Sequence, residues 1–233
     1  MRLDLFDVSQ APDKDTFQKR LVSFAEHMDF GLANGLLLVE SPGRRMDVHY
    51  VGNMPADFAA TSMDPELSAR DPVMCQLKRM NIPFVYDQEF YVDAGAADLW
   101  DMMAPFGFKT GITVALHMPN QRHFVLGLDR EQALPTDPQR LMMMLAELQL
   151  FAAHCQDAAV RLLCNEPFPH VAISDREREI LRWLMHGKSK WEIGMILNVS
   201  ENTVRYHVKR IQAKFHAPTA QAAVIRAMSA GLL

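Results

Sequence analysis

The sequence predicts two domains of different class. The first is an α/β domain, an antiparallel sheet with helices on both faces in an α-β-α sandwich; the second is a small all-α helix-turn-helix domain. Three observations carry this. Residues 30–128 alternate short Leu- and Val-rich runs with turn signals and helical segments. Residues 174–233 hold capped amphipathic helices and no strand pattern. Between them, NEPFPHVAI (165–173) has two prolines and no periodicity, which reads as a linker. The predicted boundaries are therefore 1–164, 165–173 and 174–233.

The second domain is organised around 199–215, VSENTVRYHVKRIQAKF. Ser200 opens a helix, because its hydroxyl can accept from an orphan backbone N–H. Val204, Val208, Ile211 and Phe215 recur at helical spacing and form one apolar stripe. Arg205, Tyr206, Lys209, Gln212 and Lys214 point elsewhere. An apolar back with a basic, hydrogen-bonding front suits a helix that packs on a small core and enters a DNA groove. Two helices lead into it. Ser174-Asp-Arg-Glu177 and Ser189-Lys-Trp-Glu192 are capping boxes, and Gly187 follows the first helix as a C′ residue. Helix, tight corner and basic helix make a helix-turn-helix. A last helix runs from about Thr219 to Ala230.

Charge agrees with this division. The net charge is −4, but from Ile173 onward ten basic residues face five acidic ones, leaving +5 there and −9 in the rest. DNA is thereby directed to one end of the chain. The composition, 49% hydrophobic and 22% charged, is that of an ordinary globular protein. No apolar run approaches a membrane span of ~20 residues, and no signal peptide opens the chain, so a cytoplasmic location is expected. Cys75, Cys155 and Cys164 form no CxxC pair, and the nine histidines show no metal-binding spacing. Free thiols and no metal are expected.

In the first domain, Asp13 to Met28 reads as a helix. Phe30 to Glu40 and Met46 to Val51 read as a hairpin through Pro42-Gly43-Arg44-Arg45. Pro55 to Arg70 is irregular to helical. Asp71-Pro72 opens a helix, as Asp is a good N-cap and Pro suits the first helical position. A short strand, Pro83 to Asp87, precedes a helical stretch, Ala94 to Phe106. Gly111 to Met118 and His123 to Leu128 are two more strands. Thr136 to Cys164 is one long helix, with Met142-Met143-Met144 expected to serve as packing. Enzyme motifs such as GxSxG and Gly-rich phosphate loops are absent. A phospho-receiver domain is excluded by the hairpins and by the lack of an acidic pair after the first strand.

The motifs REREIL (176–181), GKSKWEIGMIL (187–197), VSENTVRYHVKRIQAKF (199–215) and AAVIRAMSAGLL (222–233) resemble the C-terminal domain of LuxR-type transcription factors. Glu177, Leu181 and Gly187 sit at that family's hallmark positions. ARDPVM (69–74), LWDMMAPFG (99–107) and FKTGITVALHMP (108–119) resemble the same family's autoinducer-binding domain. That domain binds N-acyl-homoserine lactones between its sheet and helices. The resemblance implies that Asp71 accepts the ligand's amide N–H, that Trp100 is a pocket aromatic and that Gly111 is the family's glycine. It also exposes departures. Phe58 stands where a tryptophan donates to the lactone carbonyl, Ser62 and Met54 stand where tyrosines do, and Tyr86 replaces a second tryptophan. Phenylalanine keeps the apolar area but has no donor. These changes read as drift in a pocket of unchanged purpose, as a different small apolar ligand, or as none.

The expected function is a dimeric, quorum-sensing type transcriptional regulator on a palindromic operator. The alternative is a ligand-independent or protein-gated regulator with a degenerate first domain. Arg205, Tyr206 and Lys209 are expected at base edges, and Lys190, Arg210 and Lys214 at phosphates. The long helix and the last helix, with Val224, Ile225 and Met228, are the expected dimer surfaces. The missing donors predict a weak or absent response to ordinary acyl-homoserine lactones.

Overall fold

A computed structural model describes residues 5–40, 46–58, 65–119, 121–164 and 171–233. Ser62, the expected turn at 42–45 and most of the expected linker lie outside them. The chain divides into two compact units, one from most residues up to Asn165 and one from Glu166 to Leu233.

The first unit begins with helices α1 (Leu5–Ser9) and α2 (Lys14–His27), and then strands β1 (Leu32–Val39) and β2 (Asp47–Gly52). Short helices α3 (Pro65–Arg70) and α4 (Pro72–Leu77), strand β3 (Phe84–Tyr86), and helices α5 (Gln88–Asp93) and α6 (Ala97–Met103) follow. Strands β4 (Thr110–Met118) and β5 (Arg122–Arg130) then lead to the 26-residue helix α7 (Pro138–Leu163). The strands form one sheet in the order β2-β1-β5-β4-β3, antiparallel at every pairing.

Because strand side chains alternate between faces, each central strand serves both layers. Phe124, Leu126 and Leu128 of β5, with Ile112 and Val114 of β4, pack beneath α2 and α7 on Phe17, Leu21, Phe24, Leu148 and Phe151. The rings of Phe24 and Phe151 stack at 3.7 Å between centroids. Leu38, Ala115 and Val125 face the opposite side, where Val73, Leu77, Tyr91 and Leu99 of the short helices cover them.

The expected sandwich is present, with three differences. Helix α5, absent from the sequence reading, is capped by Asp87, whose carboxylate accepts from the Phe90 N–H at 3.1 Å. Strand β5 extends through Asp129 and Arg130, past the expected end at Leu128. Of the methionine run, only Met144 packs against the core, while Met142 and Met143 are 71% and 64% exposed. Consecutive helical residues are about 100° apart, so three in a row cannot share a face.

The second unit contains α8 (Asp175–Met185), α9 (Lys190–Leu197), α10 (Glu201–Lys214) and α11 (Ala220–Ser229). Both capping boxes form, at Ser174/Glu177 and Ser189/Glu192. Ile180, Leu181, Ile193, Val204, Val208, Ile211 and Phe215 fill the core. Val171 and Ile173, within the stretch read as linker, pack against it. The corner between α9 and α10 depends on Gly194, since a Cβ there would meet the Val199 carbonyl oxygen at 2.8 Å. Asn198 takes the left-handed conformation at φ 53°, which asparagine tolerates well.

Cys75, Cys155 and Cys164 form no disulfide. Among the described residues, no helix is long and apolar enough to cross a membrane.

Candidate ligand cavity and nucleic-acid interface

A cavity of about 660 Å³ lies between the sheet and α3–α6. Its floor is one face of the sheet: Asn34, Leu36 and Leu38 of β1, Thr113 of β4, and Val125, Gly127 and Asp129 of β5. Its cover includes Phe58, Val73, Leu77, Leu99 and Phe108. A concave, largely apolar cavity of this size with convergent polar groups is the usual form of a small-molecule site.

Four of the expected ligand residues line it: Met54, Phe58, Asp71 and Tyr86. Phe58 is 3% exposed, with its ring 5.1 Å from that of Phe106 and 4.8 Å from that of Phe108. Asp71 does two things at once. Its carboxylate caps α4 by accepting from the Val73 N–H at 2.8 Å, and it accepts from the Tyr91 hydroxyl at 3.2 Å. Burial pushes its pKa up, against these hydrogen bonds. Trp100 differs from expectation. It does not line the cavity, and its indole N–H instead donates to the Lys109 carbonyl at 3.0 Å.

The sequence reading missed the most polar part of the cavity. Asp129, 1% exposed, accepts from the Tyr86 hydroxyl at Oδ1 and from the Asn34 amide at Oδ2, the latter at 3.1 Å. Tyr50 donates to Asn34 Oδ1 at 3.2 Å and accepts from the Met54 N–H at 2.6 Å. Burial raises the Asp129 carboxyl to about 7, and the charge of Asp71 adds to the rise, while Tyr86 and Asn34 oppose it. Gly111 permits this arrangement, because a Cβ there would overlap the Tyr86 hydroxyl. The available signal was phase: in VLGLD (125–129), Asp129 alternates in step with Val125 and Gly127, so it shares their face.

In the second unit, α10 presents Asn202, Arg205, Tyr206, Lys209 and Arg210 to solvent. Arg205 is paired with Glu201 one turn earlier, Nη2 to Oε1 at 2.6 Å. The Arg210 guanidinium lies 5.7 Å from the Tyr206 ring centroid. Lys190 is half-buried at the start of α9. Lys214, expected on a phosphate, is engaged inside the domain. Its ammonium donates to Glu177 Oε2 at 2.6 Å and to the Ala172 carbonyl at 2.8 Å. Asn202 was not singled out from sequence, yet it sits in the first turn of this helix, the end from which helix-turn-helix proteins reach base edges.

Residues 171–227 match the family model described as bacterial regulatory proteins of the luxR family, and residues 13–159 match the autoinducer binding domain. The chain is 36% identical over 192 residues to the quorum-sensing regulator RhlR of Pseudomonas aeruginosa, covering 81% of this chain and 77% of RhlR. It is 30% identical over 197 residues to the regulatory protein SdiA of Escherichia coli, covering 82% and 79%. The crystal structure of Escherichia coli SdiA superposes with a TM-score of 0.81 at 26% identity, covering 99% of this chain and 96% of that one. Two family matches in succession along the chain, a five-stranded sheet with a cavity, and a capped helix-turn-helix agree. The chain belongs to the LuxR family of quorum-sensing transcriptional regulators, with an autoinducer-binding domain ahead of a helix-turn-helix DNA-binding domain.

Proposed function

We propose that the protein is a ligand-gated regulator that acts in the cytoplasm as a homodimer on a two-fold symmetric operator. In this reading residues 1–164 sense the signal and dimerise, 165–173 link, and 174–233 bind DNA. The carrying observation is the cavity of about 660 Å³, large enough to enclose a small amphiphile between Phe58, Leu36, Leu38 and Val125. The ligand is an acyl-homoserine lactone or a related molecule with an apolar chain. A solved structure of SdiA in complex with octanoyl-rac-glycerol, at 26% identity to this chain, supports that class. Asp71 accepts from the ligand, and Met54, Phe58 and Tyr86 surround it.

On DNA, Arg205, Tyr206 and Lys209 reach base edges, joined by Asn202, while Lys190 and Arg210 hold phosphates. Dimers of this class read half-sites about 10 base pairs apart. The exposed apolar side chains Met142, Met143 and Leu150 on α7, and Ile225 and Met228 on α11, support dimerisation. Val224 is buried in its own domain's core.

The test is mass spectrometry of the molecule retained by the purified full-length protein, paired with selection from random DNA duplexes before and after that molecule is extracted. Recovery of an amphiphile and enrichment of palindromes that depends on it are expected. Unchanged DNA binding after extraction would reject ligand gating.

A further inference from the structure

The three tyrosine hydroxyls lining the cavity already donate to protein acceptors. The direction of one chain is dictated by its first member. The Met54 backbone N–H can only donate, so the Tyr50 oxygen accepts from it and the Tyr50 proton goes to Asn34 Oδ1. That fixes the Asn34 amide with its nitrogen toward Asp129 Oδ2. Tyr86 donates to Asp129 Oδ1 and Tyr91 to Asp71 Oδ1. The Thr113 hydroxyl donates to the Leu126 carbonyl at 3.1 Å. Among the described lining residues, the remaining side-chain donors are the second Asn34 amide hydrogen, the Ser68 hydroxyl and the Lys78 ammonium, the last exposed.

At the buried corner formed by Asp129 and Asp71 the remaining capacity is therefore mainly for accepting, and a cation placed there favours the ionised form of Asp129 over the protonated form that burial favours. A carboxylate offers about four lone-pair sites, and those of Asp71 and Asp129 are only partly filled by the contacts above. A lactone head brings carbonyl and ether oxygens, which meet acceptors rather than donors wherever they face the ionised Asp129 and Asp71. A head bearing N–H groups finds the opposite. Two carboxylates in one apolar enclosure also repel each other, and a cation between them relieves that repulsion.

We propose, building on the reading of this cavity as a ligand site, that it selects an amphiphile whose head is a protonated amine, held by Asp129 and Asp71. The apolar chain lies along Leu36, Leu38 and Val125 under Phe58. Asp129 is the residue that sets this specificity, because its buried carboxylate at the end of β5 makes the polar corner of the cavity an acceptor.

The experiment compares two probes of equal chain and amide by calorimetry on the full-length protein: N-(2-aminoethyl)octanamide and N-octanoyl homoserine lactone. The amine is expected to bind at least roughly tenfold tighter, the scale of a charge-assisted hydrogen bond in a desolvated site. Asp129→Asn should bring the two affinities to within about threefold by weakening the amine selectively, as the ionised acceptor is lost. If Asp129→Asn does not fold, Tyr86→Phe keeps the carboxylate and frees Oδ1, so the amine preference should be kept or raised; parity there overturns the proposal. Tighter binding of the lactone overturns it while leaving the cavity a ligand site. Binding of neither probe overturns both readings. Equal loss of both probes in Asp129→Asn assigns Asp129 a structural role and overturns the specificity claim.

Discussion

The ammonium of Lys214 lies 2.6 Å from Glu177 Oε2, tying the last turn of α10 to the first turn of α8. Glu177 is 1% exposed, and its carboxylate also accepts from the Ser174 N–H at 2.8 Å to complete the capping box. One buried acid thus orients the start of the domain and the end of the basic helix together. Without Lys214 the buried carboxylate keeps the Ser174 N–H and the Arg210 guanidinium, whose Nε lies 3.8 Å from Glu177 Oε1. Lys214→Ala should therefore destabilise the second domain by about 1–3 kcal/mol, the cost of one lost bond to a buried charged group. Thermal melts of the full-length protein read this. An unchanged melt with a salt slope reduced by about one would instead place Lys214 on a phosphate.

The same acid sets a pH dependence. Burial pushes its pKa up, but the hydrogen bond from Lys214, the Ser174 N–H and the lysine charge together hold it below the ordinary glutamate value. A depressed folded pKa means the unfolded chain binds the proton first as pH falls. The stabilisation is fully present above the unfolded glutamate value of about 4.3 and is lost as pH falls through the lower folded value. Glu177→Gln should lower the melting temperature at neutral pH and flatten its decline in that acid window. A parallel decline in both proteins would remove Glu177 as the cause.

Arg205 is exposed and held along the helix by Glu201. A bidentate arginine on guanine gives about 1–3 kcal/mol of discrimination. Arg205→Ala should therefore relax base preference at one position of each half-site, whereas Arg210→Ala should weaken all sequences alike. Sequence selection on randomised duplexes separates the two. An unaltered preference with Arg205→Ala would show that this helix does not read bases there.

Phe58 lacks the donor that an indole would supply at its position. Phe58→Trp should raise acyl-lactone sensitivity by no more than about tenfold, the equivalent of one net hydrogen bond. The ring already packs closely on Phe106 and Phe108, so a larger side chain should also cost about 1–3 kcal/mol of stability. Calorimetry and melts measure the two effects independently. Strong activation of the unmutated protein by a simple lactone would show that the missing donor is supplied elsewhere.

The elements legible in the sequence are those whose signals span three or four residues. The capping boxes at Ser174 and Ser189, the cap at Ser200 and the Asp71-Pro72 helix start each pair a side chain with a backbone N–H on the next turn. Helical geometry alone fixes such pairs, and the stripe from Val204 to Phe215 follows from the same periodicity. Of the cavity residues, Asp71 was legible from its motif, and Met54, Phe58 and Tyr86 from the family resemblance. Asp129 was not, because its partners Asn34 and Tyr86 are 95 and 43 residues away and meet it through the register of antiparallel strands. Lys214 looked like any other cation on a basic helix until Glu177, 37 residues earlier, took its ammonium. Local spacing determined which segments fold into helices and which side chains cap them. Strand register and helix packing decided where each charge faces, because those contacts join residues whose separation in sequence carries no periodic signal.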